Sequence, residues 1–170
     1  MKAEQYINLG YQRLLTFEVP GGGFSWFGDA PANKVLTAYG LMEFVDMSAV
    51  HPVDPSLIAR TRDWLLAQQQ PDGSWKPDEA YLHQESWGRI QQSELLPTAY
   101  ITWALLSGRE PNEQPAVPAP VAKAVDYILK NRAAAGEDPY TLGIIANALV
   151  AAGRPEANDV LGELLELAKE

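Results

Sequence analysis

Two stretches of this sequence, Leu95-Leu96-Pro97-Thr98-Ala99-Tyr100-Ile101-Thr102-Trp103-Ala104-Leu105-Leu106 and Tyr140-Thr141-Leu142-Gly143-Ile144-Ile145-Ala146-Asn147-Ala148-Leu149-Val150, carry no charge at all. A helix that is apolar around its whole circumference has to be buried around it. Neither stretch approaches the ~18 apolar residues of a membrane span, so both are expected as core helices enclosed by others. The enclosing helices are present as well. In 55–69, Leu57, Ile58, Thr61, Trp64, Leu65 and Gln68 form one stripe while Arg60, Arg62 and Asp63 lie off it. Segments 119–132 and 156–168 repeat that style with Val121, Val125, Ile128 and Leu129, then Val160, Leu161, Leu164 and Leu165.

Local signals place the boundaries. Asp54-Pro55 and Asp138-Pro139 each set a capping carboxylate before a proline suited to the first helical position. Gly108 and Gly153 follow apolar stretches, where a left-handed residue ends a helix. The reading is seven helices, at 3–17, 31–48, 55–69, 94–107, 119–132, 139–152 and 156–168, in an all-α chain without strands. A degenerate repeat runs through them: Leu36-Thr37-Ala38-Tyr39 recurs as Pro97-Thr98-Ala99-Tyr100 and more faintly as Tyr140-Thr141-Leu142-Gly143. The first two copies follow glycine-aromatic turns, Gly21-Gly22-Gly23-Phe24-Ser25-Trp26 and Gln70-Pro71-Asp72-Gly73-Ser74-Trp75. Helical hairpins of this kind bury their uncharged member only by stacking on neighbours. The expected architecture is an α/α toroid, open as a partial ring because three hairpins and an extra striped helix are too few to close it. An open ring exposes apolar edges, which invites a homodimer or further chain.

Composition narrows the chemistry. At 170 residues the chain has the size of one domain, 1–170, and its 13 Lys+Arg against 22 Asp+Glu give a net charge of −9, which opposes nucleic acid as a partner. There is no cysteine, hence no thiol nucleophile, cysteine-ligated zinc or iron–sulfur centre. No signal peptide and no membrane-inserting segment are visible. No phosphate cradle follows Gly21-Gly22-Gly23, no His-Glu-x-x-His run exists, and neither metal nor cofactor is expected. His51, before Pro52, reads as a solvated loop residue. His83 lies in the long connector Asp78-Glu79-Ala80-Tyr81-Leu82-His83-Gln84-Glu85-Ser86-Trp87-Gly88, with Glu79 and Glu85 near it in sequence. It is either a base or nucleophile tuned by a carboxylate or a residue that fixes the loop by a hydrogen bond. The Asp72-Gly73-Ser74-Trp75 turn is read as a structural lock, its tryptophan packed over the end of the outer helix with the indole N–H bonded to a carbonyl, rather than as a ligand site.

Several of these motifs, in this order, resemble one family. Gly10-Tyr11-Gln12-Arg13-Leu14-Leu15-Thr16-Phe17, Gly22-Gly23-Phe24-Ser25-Trp26-Phe27-Gly28, Leu36-Thr37-Ala38-Tyr39, Gln68 to Trp75, Leu82-His83-Gln84-Glu85 and Leu96-Pro97-Thr98-Ala99-Tyr100 look like the thioester-containing domain of the alpha-2-macroglobulin and complement family. The resemblance covers about the whole chain and implies the same toroid. In that family a thioester between a Cys and a Gln, in a Cys-Gly-Glu-Gln type motif, acylates a protease or a nearby surface once released. That motif belongs upstream of the region present here, so the chain reads as the larger C-terminal part of the domain with Met1 as an artificial start.

The resemblance also gives His83 a role. Leu82-His83-Gln84-Glu85 matches the setting in which a histidine takes the acyl group from the thioester, with Glu85 as a candidate orienting carboxylate. It implies a non-enzymatic part of a bacterial-type, broad-spectrum endopeptidase inhibitor, working outside the cell or in the periplasm. Its partners would be proteases or surface hydroxyl groups, reached through the full-length protein, together with other domains of the same chain. The rivals are a toroid enzyme of the terpene cyclase or prenyltransferase type and a helical-repeat binding scaffold. Against the enzyme, Asp46 stands alone in Phe44-Val45-Asp46-Met47 and no Asp-x-Asp-Asp run exists.

Overall fold

The computed structural model describes residues 2–78, 93–109 and 117–169. Among these residues there are seven α-helices and no strand: α1 (Lys2–Leu15), α2 (Lys34–Ser48), α3 (Pro55–Ala67), α4 (Leu95–Leu106), α5 (Ala119–Asn131), α6 (Pro139–Ala151) and α7 (Ala157–Leu167), with a 3₁₀ turn, Arg132–Ala135, after α5. Both Asp-Pro signals operate as read. The Asp54 carboxylate accepts from the Ser56 N–H at 2.9 Å, and Asp138 from the Thr141 N–H at 3.2 Å. Helix α2 starts three residues later than expected, because Asn33 takes the N-cap and its side-chain oxygen accepts from the Leu36 N–H at 2.8 Å. Gly108 and Gly153 have φ of 75° and 67° and follow α4 and α6.

The layers follow helix style. The low-charge helices α2, α4 and α6 pack side by side in that order, and each is backed by the striped helix that follows it, α3, α5 and α7. This is an arc of the all-α toroid. Its two largest core clusters run between the layers. One joins Ala38 and Leu41 of α2 to Leu65, Trp75, Ile101, Ala104, Leu106, Val121 and Ala124. The other joins Leu95 and Ala99 of α4 to Val125, Ile128, Leu142, Ile145, Leu149 and Val160.

Complete burial of the uncharged helices holds for only one of the two. On α4, the middle helix, Tyr100 and Trp103 alone are partly open. On α6 an exposed row remains, Tyr140, Asn147 and Val150. The reason is position. Helix α4 has inner neighbours on both flanks, whereas α6 is the last inner helix and has one.

No helix among the described residues is long and apolar enough to cross a membrane.

Candidate functional site

The repeated threonines hold the turns to the inner helices. In the first unit the Phe24 N–H donates to Thr37 Oγ1 at 2.8 Å; in the second the Trp75 N–H donates to Thr98 Oγ1 at 2.9 Å. Both threonines are fully buried and occupy the same place, four residues after the N-caps Asn33 and Glu94. The turns close alike, with Val19 N–H to the Gly23 carbonyl and Gln70 N–H to the Ser74 carbonyl, each at 2.8 Å. The counterpart of Trp75 is therefore Phe24, not Trp26. The repeated Thr-Ala-Tyr was legible in the sequence; its purpose, a buried acceptor for the turn's backbone, was not. Counted from its N-cap, Asp138, α6 places Leu142 where the other helices have Thr37 and Thr98, so the faint third copy is displaced by one residue. Thr141 bonds the capping Asp138 carboxylate instead, at 2.6 Å.

Trp75 behaves as the turn motif predicts. Its side chain is 0% exposed and its indole N–H donates to the Leu65 carbonyl, near the end of α3, at 2.7 Å. Gly73 allows this fold of the turn, with φ of 95° and its α-carbon facing the Lys123 carbonyl of α5 so closely that a Cβ would lie 2.5 Å from that oxygen. On the other side of the turn, Ser74 Oγ lies 2.8 Å from an Asp72 oxygen and 2.9 Å from a Glu94 oxygen. The Ser74 N–H and hydroxyl hold the Asp72 carboxyl below the usual carboxylate range.

These bonds anchor both described ends of the connector that carries His83. At its start, Asp78 accepts from the Lys34 backbone N–H at 2.7 Å and pairs with the Lys34 ammonium, which ties it to the first turn of α2. At its end, Glu94 is both the N-cap residue of α4 and the partner of Ser74. His83, Glu85 and Glu79 themselves lie outside the described residues. His51 is half-buried rather than solvated: its ring meets Tyr11 edge-on at 5.9 Å, and its backbone N–H donates to the Met47 carbonyl at 2.8 Å. Among the described residues no group of three or more His, Asp or Glu side chains is placed to hold a metal.

Tyr39 and Glu43 of α2, Tyr100 of α4 and Tyr140 of α6 lie near one another, and Trp103 of α4 meets Tyr100 edge-on at 6.1 Å. The Glu43 charge and its hydrogen bond raise the Tyr39 hydroxyl above its ordinary pKa. Burial pushes Tyr100 up to about 12, helped by Tyr140, Tyr39 and Glu43 beside it. A tyrosine that ionises later in the folded chain keeps its full contribution to stability below pH ~10 and loses it as the pH rises toward 12. Thermal melts from pH 9 to 12 are expected to show that decline, and Tyr100→Phe is expected to flatten it.

Residues 1–170 match the family described as the A-macroglobulin TED domain. The chain is 31% identical over 169 residues to ovostatin of Gallus gallus, covering 97% of this chain and 11% of that protein. It is 30% identical over 157 residues to complement C3 of Oncorhynchus mykiss, covering 89% and 10%, and 33% identical over 158 residues to the venom factor of Crotalus adamanteus, also covering 89% and 10%. The chain thus spans about a tenth of the length of these curated relatives.

Proposed function

The chain belongs to the A-macroglobulin TED domain family, and from that premise we propose that it forms toroid wall in a larger, non-enzymatic protease trap that captures targets through a thioester supplied from elsewhere in the protein. The match over the whole chain carries this reading, and it favours a thioester domain over a cyclase or prenyltransferase. The described helices then belong to a single domain, whose thioester motif lies outside the 170 residues, which contain no cysteine. Likeness to a venom factor and a complement component supports a place outside the cell; a periplasmic one is the bacterial form of the same reading.

In this reading His83 is the acyl-transfer residue. Its imidazole nitrogen attacks the thioester carbonyl, the bond from the acyl carbon to sulfur breaks, and the Cys leaves as thiolate. That thiolate takes the proton of a target hydroxyl; the resulting oxygen attacks the acyl-imidazole, and His83 is released as the ester forms. Glu85 orients the ring. The likeness to complement C3 and the Leu82-His83-Gln84-Glu85 setting support a preference for hydroxyl targets.

Methylamine treatment of the native full-length protein followed by mass spectrometry tests the trap. The expected product is a methylamide on an upstream Gln together with one new free thiol; an unmodified chain leaves a helical scaffold without thioester chemistry. In the same protein His83→Asn is expected to slow ester transfer to glycerol while amine transfer continues. Unchanged transfer to glycerol removes the role from His83.

A further inference from the structure

The connector that carries His83 begins at an enclosed ion pair. Asp78 accepts from the backbone N–H of Lys34, the first residue of α2, at 2.7 Å and also meets the Lys34 ammonium, although 44 residues separate the two in sequence. The Lys34 side chain is 15% exposed and that of Asp78 13%. Ion pairs elsewhere are more open: the arginine of Arg60–Glu18 is 41% exposed, and the glutamate of Arg132–Glu163 is 44% exposed. An exposed pair constrains little. One shut away from water holds its partners together, because removing either leaves a charge without compensation.

Local structure does not call for this pair. The turn before it closes through its own bonds, Gln70 N–H to the Ser74 carbonyl and Gly73 N–H to the Gln70 carbonyl, and α2 already has its N-cap in Asn33. What the pair adds is a fixed place for the chain as it leaves Trp75. Asp78 puts a negative charge at the N-terminus of α2, whose own first turn has no acidic residue, and the helix dipole favours it there. The far end of the connector is held at the start of α4 through Glu94. Its two described ends thus rest on the N-terminal ends of neighbouring inner helices. Asp78 is the anchor nearer to position 83. Five residues of chain span at most ~18 Å and eleven about 40 Å, so Asp78 sets the narrower limit on where the His83 imidazole can be delivered.

We infer that Lys34, acting through Asp78, is a positioning residue for acyl transfer by His83: it ties the start of the connector to α2 and so aims the histidine at the thioester. Lys34 touches no reacting atom in this role. The inference rests on the proposed reading of His83 as the acyl-transfer residue. In that reading amines attack the thioester directly, whereas hydroxyl targets depend on the acyl-imidazole. A misplaced histidine therefore changes the partition between targets and leaves the thioester itself reactive.

The readout is the ratio of ester transfer to glycerol over amide transfer to methylamine in the native full-length protein. Misplacing a reacting group by about 1 Å can cost ~100-fold. Lys34→Met, which leaves Asp78 uncompensated, is expected to lower the ratio about tenfold or more, the loss falling on the ester, and Lys34→Arg, which keeps the charge, to stay within about twofold of the parent. Asp78→Asn keeps an oxygen for the Lys34 N–H and loses the ion pair; it is expected to lower the ratio as well, and serves alone if Lys34→Met does not fold. In a His83→Asn background, adding Lys34→Met is expected to change nothing further, because both act through one step. A ratio that His83→Asn lowers and that Lys34→Met and Asp78→Asn leave unmoved overturns the inference while the role of His83 stands. An equal drop in the His83→Asn background overturns it too, since the pair would then act on the domain rather than through the histidine. If His83→Asn itself leaves the ratio unchanged, the proposed reading of His83 fails and the inference with it.

Discussion

Trp75→Ala is expected to remove most of the stability of the isolated chain. The side chain is wholly buried and touches both layers, packing among Leu41, Leu65, Ile101, Leu105 and Ala124 in the cluster that joins α2, α3, α4 and α5. Truncating a buried Trp costs about 3–5 kcal/mol, since the void left behind closes only partly. The Leu65 carbonyl also loses its indole donor, which adds about 1 kcal/mol or more when the acceptor stays buried. Against the ~5–15 kcal/mol that holds a domain folded, one substitution approaches the whole margin. Trp75→Phe separates the two contributions: it keeps a ring in the cluster and loses the hydrogen bond, so a loss of about 1–3 kcal/mol is expected. Urea denaturation followed by far-UV circular dichroism gives each value. A Trp75→Ala chain within 1 kcal/mol of the parent would mean that the turn is not the joint between the layers.

The sequence discloses the layers more readily than the joints between them. Charge placement alone sorts the helices, because an uncharged circumference is tolerated only inside; α4 obeys this almost completely. Helix α6 departs from it, since exposure at the end of an arc depends on how many neighbours the arc supplies, and no pattern within a helix encodes that number. Capping is local chemistry, and so Asp54, Asp138 and the terminal glycines could be placed within a residue or two. The Thr37 and Thr98 clamps are long-range, spanning 13 and 23 residues to Phe24 and Trp75. A repeated Thr-Ala-Tyr marks both positions, yet spacing cannot say that the hydroxyl meets a backbone N–H from a preceding turn. For the same reason the two glycine-aromatic turns do not disclose which aromatic corresponds to which, and it is the hydrogen bonds that pair Trp75 with Phe24. His83 is legible only as a motif, and its connector is known here through its anchors at Asp78, Ser74 and Glu94.

Those anchors depend on the turn at Gly73, and Gly73→Ala is the sharpest way to disturb them. Two penalties arise together. The backbone at φ 95° is one that residues with a Cβ rarely adopt, which costs about 1–3 kcal/mol. The added carbon would also sit 2.5 Å from the Lys123 carbonyl oxygen and 2.6 Å from its carbon, and these are backbone atoms within α5 that no rotamer change moves aside. Relief requires separating the turn from α5, which carries Trp75 and Ser74 with it, at a further cost of about 1–3 kcal/mol, as overpacking of a filled interior commonly costs. Gly136→Ala isolates the first penalty: φ there is 55° with ψ −136° and nothing lies within 4 Å of the added carbon, so only the backbone cost of about 1–3 kcal/mol is expected. Gly108→Ala lies between, because its added carbon meets the Val45 side chain rather than backbone. The expected order of denaturation midpoints is therefore parent, Gly136→Ala, Gly108→Ala, Gly73→Ala. If Gly73→Ala unfolds no earlier than Gly136→Ala, the turn does not rest on α5. The Ser74–Glu94 anchor would then leave the connector bearing His83 free of the outer layer.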